Sequence, residues 1–226
     1  INDDMDNFVA RTTHDLRAPL ASVLGLISMV REENNIDRFN RYFSLQEETL
    51  KRMNNLIKNL MDFSVNKRSE LELEEVDFKK IIENSLNDHA FVHHTHRIQN
   101  NISIIQKEKF ISDAGRLTMI INNLISNAVK YADPKKANIE IDIKISVKKK
   151  MATIEIKDNG IGIDNHHLDK IFTLFYRATT RSTGSGLGLY IVKETVKMLK
   201  GNIKAESVKD EGTAIKISIP DLKQNL

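Results

Sequence analysis

Two consecutive seams of apolar residues, separated by a short polar break, constrain the fold most. Val9, Thr13, Leu16, Leu20, Val23, Ile27 and Val30 step by four and three, the spacing of a packed helix. Phe39, Phe43, Gln46, Leu50, Met53, Ile57 and Leu60 repeat that step, and Tyr42, Leu56 and Phe63 widen the apolar face. Residues 31–37 between the seams are polar and few, so the two helices are expected to fold back as an antiparallel hairpin. Two helices cannot cover so broad a seam by themselves. The economical solution is a symmetric dimer closing a four-helix bundle.

Beyond Ser69 the periodicity changes to short strands mixed with helices, which places a domain boundary near Arg68 and divides the chain into 1–68 and 69–226. Strands are expected over 71–76, 102–106, 139–147, 152–157, 203–206 and 214–219, and helices over 78–89, 116–131 and 187–199. Helices interspersed with largely hairpin-connected strands indicate an α+β fold, an α/β sandwich with one sheet face covered by helices.

Bulk composition narrows the chemistry. The chain has no cysteine, which removes disulfides, thiolate metal sites and cysteine nucleophiles together. No apolar run approaches the roughly 18 residues of a membrane-spanning helix, and no signal peptide precedes the first seam. A cytoplasmic location is therefore expected, either of a whole protein or of the cytoplasmic part of a longer receptor. Net charge is only +3, and its densest local expression, Lys148-Lys149-Lys150, falls between two alternating segments. It reads as a solvated hairpin turn, and no nucleic-acid partner is expected.

Four short motifs carry the chemistry. His14 lies one position beyond the seam residue Thr13, on the flank of the bundle, where an imidazole can accept a phosphoryl group; alternatively it is a plain surface histidine. Asp15 beside it could hold a ring nitrogen or take its proton. Pro19 lacks an amide hydrogen, so a bend is expected next to His14. On the next long helix Asn123, Asn127 and Lys130 share one face, either as a solvated polar stripe or as a neutral oxygen donor set with a cation. Magnesium suits such oxygens, since it keeps most of its waters and shares substrate phosphates.

Asp158-Asn159-Gly160 is a tight-turn signal, followed by a further glycine at Gly162. A carboxylate at a strand end could also accept a hydrogen bond from an exocyclic amine such as that of adenine. Gly184, Gly186 and Gly188 lead through Leu187 into the helix 187–199, an arrangement that offers backbone amides and a positive helix end to phosphate, or else a bare flexible loop. Residues 165–185 between them read as a lid anchored by the cluster Ile171-Phe-Thr-Leu-Phe-Tyr. His93, His94 and His96 form a second histidine cluster without a carboxylate at ligand spacing, and an exposed helix end explains them more simply than a metal.

With these residues placed, the chain resembles the catalytic core of a sensor histidine kinase of two-component signalling. The resemblance runs from Phe8 to Ile219: the region of His14 resembles the H box, 123–131 the N box, 158–162 the first glycine box, 172–177 the F box and 184–189 the second glycine box. It implies a dimerisation and phosphotransfer hairpin followed by a Bergerat-type ATP-binding domain. By position it implies His14 as phosphoacceptor, Asp15 as its acidic partner, and Asn127 as magnesium ligand. Asn123 and Lys130 would approach the triphosphate, Tyr131 would line the pocket, and Asp158 would read adenine. The glycines at 160, 162, 184, 186 and 188, with Leu187, would shape pocket and lid. ATP and Mg2+ are the implied cofactors; a second copy of the chain and a response-regulator receiver domain are the implied partners, the latter met near Leu24, Ser28 and Arg41.

Two positions depart from the family pattern. Ala18 stands four residues after His14, where threonine or asparagine is usual and is credited with orienting water for dephosphorylation of the regulator. Thr173 replaces the usual F-box glutamate. Related ATPases that drive conformational change carry a catalytic glutamate in the N-box region, where this chain has Asn123; a nucleotide-binding scaffold without transfer is the non-enzymatic alternative.

Overall fold

A computed structural model of the chain describes residues 16, 17, 19–30, 35–68, 70–89, 97–178 and 186–225. The chain divides into two compact units, Ile1–Val65 and Asn66–Leu226.

In the first unit residues 16, 17 and 19–30 are helical, the last stretch being α1, and α2 runs Ile36–Arg68. Asn35 starts α2: its side-chain oxygen accepts from the amides of Asp37 (2.9 Å) and Arg38 (3.2 Å). The seam residues of each helix and their neighbours fall into two sets. Leu16, Val23, Leu26 and Val30 on one side of the hairpin, and Phe39, Tyr42, Gln46 and Met53 on the other, are half-buried. Leu20, Leu24 and Ile27, with Phe43, Leu50 and Ile57, are exposed in the single chain, Leu20 by 50% and Leu50 by 51%. The bend expected at Pro19 turns on Asp15 and Ala18, which lie outside the described residues.

The second unit runs β1 (Glu74–Glu75), α3 (Phe78–His89), β2 (Arg97–Gln106), β3 (Ile111–Ser112), α4 (Ala114–Lys130), β4 (Asn138–Lys148), β5 (Met151–Asp158), α5 (Asn165–Leu168), α6 (Gly188–Met198), β6 (Asn202–Val208) and β7 (Gly212–Pro220), closing on a 3-10 turn, Leu222–Asn225. Five strands form one sheet in the order β2-β4-β5-β7-β6, and β1 pairs with β3 apart from it. Alternation decides which face is covered. Ile139, Ile141, Ile143, Ile145 and Val147 of β4, Ile154 and Ile156 of β5, and Ile215, Ile217 and Ile219 of β7 point to the same side and are buried with Ile82 of α3, Ile121 and Ile125 of α4 and Val192 and Val196 of α6. The helices α3, α4 and α6 are thus one layer on one sheet face, as the sandwich reading expects.

Three details differ from the sequence reading. The strand expected over 71–76 is confined to Glu74–Glu75, because its neighbours are satisfied elsewhere: the amide of Glu72 donates to Asp113 Oδ2 (3.2 Å), that of Val76 to the Phe110 carbonyl (2.9 Å), and Gln106 Nε2 to the Val76 carbonyl (2.7 Å). Strand β2 begins five residues before Ile102, since the polar run from Gln99 to Asn101 is held in the ladder by β4, with Asn101 Nδ2 donating to Asp142 Oδ1 at 2.8 Å. Moreover β2 pairs with β4 in parallel, joined through α4, so the sheet is not wholly built of hairpins. The lysine run does make a two-residue hairpin turn, Lys149 (φ 51°) and Lys150 (φ 58°) both left-handed, as the twist of the flanking strands requires.

Candidate functional site

Helix α4 is the wall on which the site is built, and its start is fixed by a buried ion pair. Asp113 caps the helix by accepting from the Arg116 amide (2.8 Å), and the Arg116 guanidinium returns to the Asp113 carboxylate and donates to the Glu70 carbonyl (3.1 Å). Both side chains are buried, so the pair and its backbone partners satisfy each other away from water. Leu117, Ile120, Ile121, Leu124, Ile125 and Ala128 turn to the core. The intervening face, half-buried, carries Asn123 and Asn127.

Asn123 donates its Nδ2 to the Met119 carbonyl (2.9 Å), which orients the amide so that the oxygen is the free end. That oxygen lies 3.0 Å from where a side-chain carbon of Gly188 would begin, and both amide atoms of Asn127 lie within 3.9 Å of the same point. Gly188 opens α6, so the N-box helix and the second glycine box meet here, with bare backbone against two carboxamides. Leu187 at the α6 N-cap position is buried and makes no side-chain cap hydrogen bond.

The other end of α4 meets the first glycine box. The amide of Ile161 donates to the Tyr131 carbonyl (3.0 Å), and a side chain at Gly160 would fall 2.4 Å from that oxygen. Tyr131 is half-buried, with the exposed Lys130 ammonium 5.1 Å from its ring centroid. From Asn123 to Tyr131 is eight residues of α4, or about 12 Å along the axis. The C-terminal half of this helix thus carries the two carboxamides, and the carbonyl of its C-cap Tyr131 meets the turn that follows a strand-end carboxylate.

That carboxylate is Asp158, at the end of β5. Its Oδ1 accepts from the amides of Gly160 (2.8 Å) and Thr213 (3.3 Å), while among the described residues Oδ2 has no partner. Burial pushes its pKa above the ordinary carboxylate value, against the hydrogen bonds from Gly160 and Thr213 and the field of Lys136. The hairpin alternative for Asp158-Asn159-Gly160 fails because Asn159 extends the β4 edge instead: its side-chain oxygen accepts from Glu140 (3.0 Å) and its Nδ2 donates to Asn138 (3.2 Å).

The glycines have protein neighbours of their own. Gly162 (φ +63°) leaves no room for a carbon beside the Val208 carbonyl, and Gly186 (φ +70°) packs on the backbone of Phe175. Phe175 is itself left-handed (φ 60°), a conformation rare for an aromatic residue. The F-box segment and the second glycine box are therefore in direct contact. Within the F box Tyr176 Oη bonds His167 Nδ1 at 2.5 Å, and Asp164 caps the short α5, where the His166 amide holds its carboxyl below the ordinary value. Thr173 is exposed.

His14, Asp15 and Gly184, with His93, His94 and His96, lie outside the described residues. Three residues went unread in the sequence. Thr213 donates to Asp158, Ser207 Oγ accepts from the Ile163 amide (2.8 Å) and meets Thr213 Oγ1 (2.9 Å), and Lys136 bonds three carbonyls of two turns. Only the turn Asp210-Glu211-Gly212 ahead of Thr213 carried any signal. Among the described residues no group of three His, Asp or Glu side chains could hold a metal, and no helix is long and apolar enough to cross a membrane.

Comparison with known proteins agrees with this layout. Residues 4–66 match the His Kinase A (phospho-acceptor) domain, and residues 112–223 match the histidine kinase-, DNA gyrase B- and HSP90-like ATPase. The sensor protein kinase WalK of Staphylococcus aureus is 34% identical, over 94% of this chain and 53% of the relative, so the chain spans about half the length of that curated protein. Two solved structures share the fold. One is the Acinetobacter baumannii histidine kinase AdeS (TM-score 0.70, 21% identity, 92% of this chain and 98% of that one). The other is the histidine kinase ThkA in complex with the response regulator TrrA (TM-score 0.75, 20% identity, 95% of this chain and 61% of that one). With a phospho-acceptor region ahead of an ATPase fold, and the matching relative aligned across both, the chain belongs to the sensor histidine kinases.

Proposed function

We propose that this chain transfers the γ-phosphoryl group of ATP to His14 and passes it to an aspartate of a response-regulator receiver domain. The observation that carries the reading is the meeting of Gly188, at the start of α6, with the carboxamides of Asn123 and Asn127, which brings the second glycine box against two neutral oxygen donors. ATP lies along α4, its adenine toward Tyr131 and Asp158 Oδ2 and its phosphates toward Asn123, Asn127, Lys130 and the amides that open α6. Gly160 and Gly162 hold the base-side turn, and Gly184, Gly186, Leu187 and Gly188 form the phosphate-side lid.

The residues fit a magnesium ion. Asn127, with the oriented Asn123 oxygen beside it, offers neutral donors of the kind magnesium shares with phosphates and water. When bound, the ion neutralises charge on the phosphates. The protein does the rest by positioning. Asp15 orients the His14 ring and takes its proton; the ring nitrogen attacks the γ-phosphorus as ADP leaves, and the new P–N bond stores the group for the receiver aspartate. Asn123, neutral and bonded to its own helix, is no base for water, which separates this site from glutamate-bearing ATPases.

Residues 1–68 form the dimerisation and phosphotransfer domain, closing a four-helix bundle through the exposed set that includes Leu20, Phe43, Leu50 and Ile57, and residues 69–226 bind the nucleotide. The ThkA complex with TrrA supports a receiver domain as partner, and Leu24, Ser28 and Arg41, all exposed, are the surface offered to it. The chain works on the cytoplasmic side, and any membrane anchor belongs to segments outside it.

The test is incubation with γ-labelled ATP and magnesium. Acid-labile, base-stable label is expected on the wild-type chain and none on His14→Ala; ATP turnover without label on His14 would overturn the reading. Ala18 also predicts weak phosphatase activity toward the phosphorylated regulator. Rapid regulator decay that depends on the chain and is unaltered in Ala18→Thr would refute that prediction.

A further inference from the structure

Three loops converge at the carboxyl end of β5, and one side chain ties them together. The half-buried Lys136, from the loop after α4, donates its ammonium to the carbonyls of Asn159 (2.6 Å), Asp210 (3.0 Å) and Glu211 (3.1 Å). All three of its hydrogens are thereby used. Its acceptors lie on two turns, 158–163 and 208–213. The same two turns supply the Gly160 and Thr213 amides that hold Asp158 Oδ1. The turns are also pressed backbone to backbone: the Asp210 amide donates to the Ile161 carbonyl (2.8 Å), and carbons placed on Gly162 and Gly212 would fall 2.0 Å from the carbonyls of Val208 and Asp158. Bonds from an ammonium are about twice as strong as neutral ones. The backbone that accepts from Lys136 and the backbone that donates to Asp158 are therefore one piece.

We propose that Lys136 is a positioning residue for nucleotide selection, holding the two turns so that Asp158 Oδ2 meets the exocyclic amine of adenine. The inference rests on the assignment of Asp158 to the base made above. The charge of Lys136 also favours the ionised Asp158 carboxylate against burial.

The test compares the wild-type chain with Lys136→Met, Lys136→Gln and Lys136→Arg, measuring affinity for ATP and for inosine triphosphate, which lacks the amine, and the phosphorylation rate at saturating ATP. In Lys136→Met the affinity for ATP should fall about tenfold, a change of about 1.4 kcal/mol, with the loss for inosine triphosphate much smaller. The saturated rate should stay within about twofold, so that KM moves and kcat does not. Lys136→Arg, which keeps a cation and several donors, should restore most of the preference. Lys136→Gln gives the same answer should the methionine variant not fold. Equal loss for both nucleotides, or an unchanged preference, would overturn the inference and leave Lys136 a structural tie. A wild-type chain that binds ATP without preferring it to inosine triphosphate would instead remove the Asp158 assignment on which the inference stands.

Discussion

The two units solve the burial problem in opposite ways. In the sheet unit, isoleucines from three adjacent strands disappear completely beneath three helices, with Ile141, Ile143, Ile154, Ile217 and Ile219 all at 0% exposure. In the helical unit, part of each apolar seam is half-buried and part remains exposed. The sheet unit is complete as one chain and the hairpin is not. The division suits the proposed roles: the nucleotide site needs a rigid wall, whereas the phosphoacceptor needs a surface that other molecules can reach.

This contrast can be broken most sharply at Arg116. Replacing it with Met leaves the buried Asp113 carboxylate without its counter-charge, and a loss of about 3–5 kcal/mol is expected in denaturant unfolding of the sheet unit. Ile154→Ala, in the middle of the central strand, should cost about 2–5 kcal/mol by leaving a cavity in a close-packed layer. Leu50→Glu sharpens the comparison from the other side. Sedimentation should show the dimer replaced by monomer, while the unfolding midpoint of the sheet unit stays unchanged; a stable dimer in the variant would refute the assignment of that stripe.

The smallest effect concerns Asp158. Its pKa is raised in the folded chain by burial, so between the unfolded and folded values the native state binds more protons and stability falls as pH rises. The ionised carboxylate is thus a standing cost at neutral pH. Asp158→Asn, which can still accept from Gly160 and Thr213, should melt at a slightly higher temperature than wild type at neutral pH. The advantage should vanish as pH drops below the ordinary carboxylate pKa, and ATP binding should be lost throughout. A variant less stable at neutral pH would show that the hydrogen bonds to the carboxylate outweigh its burial.

Sequence made the layout of the chain legible where the signal was local. The helix over 78–89 could be read from its spacing, the hairpin from β4 to β5 from alternation around the lysine turn, and β6 and β7 as closing strands. What escaped was set by partners far along the chain. The polar start of β2 becomes strand only because β4 offers a ladder, and the run from Leu71 to Val76 loses most of its strand because Asp113, Gln106 and Phe110 take its backbone groups. At the site, the spacing of Asn123 and Asn127 marked a shared face, and the glycines marked close approach. It could not tell that Gly160, Gly162 and Gly186 are crowded by the protein itself. Lys136 gave no sign at all, since a lysine in a polar loop is ordinary until its three carbonyls are known.

The parallel pairing of β2 with β4 has a consequence for assembly of the site. The two strands are consecutive members of the large sheet along the chain, and the crossover that joins them contains α4. Antiparallel β4 and β5 can zip from a two-residue turn, whereas β2 can be added only once a loop of some thirty residues has closed, an entropic hurdle that favours local contacts first. Because that loop is the helix bearing Asn123, Asn127 and Tyr131, enclosing the sheet edge and raising the wall of the nucleotide site are a single event. A chain arrested before it would hold most of its sheet and have nowhere to put ATP.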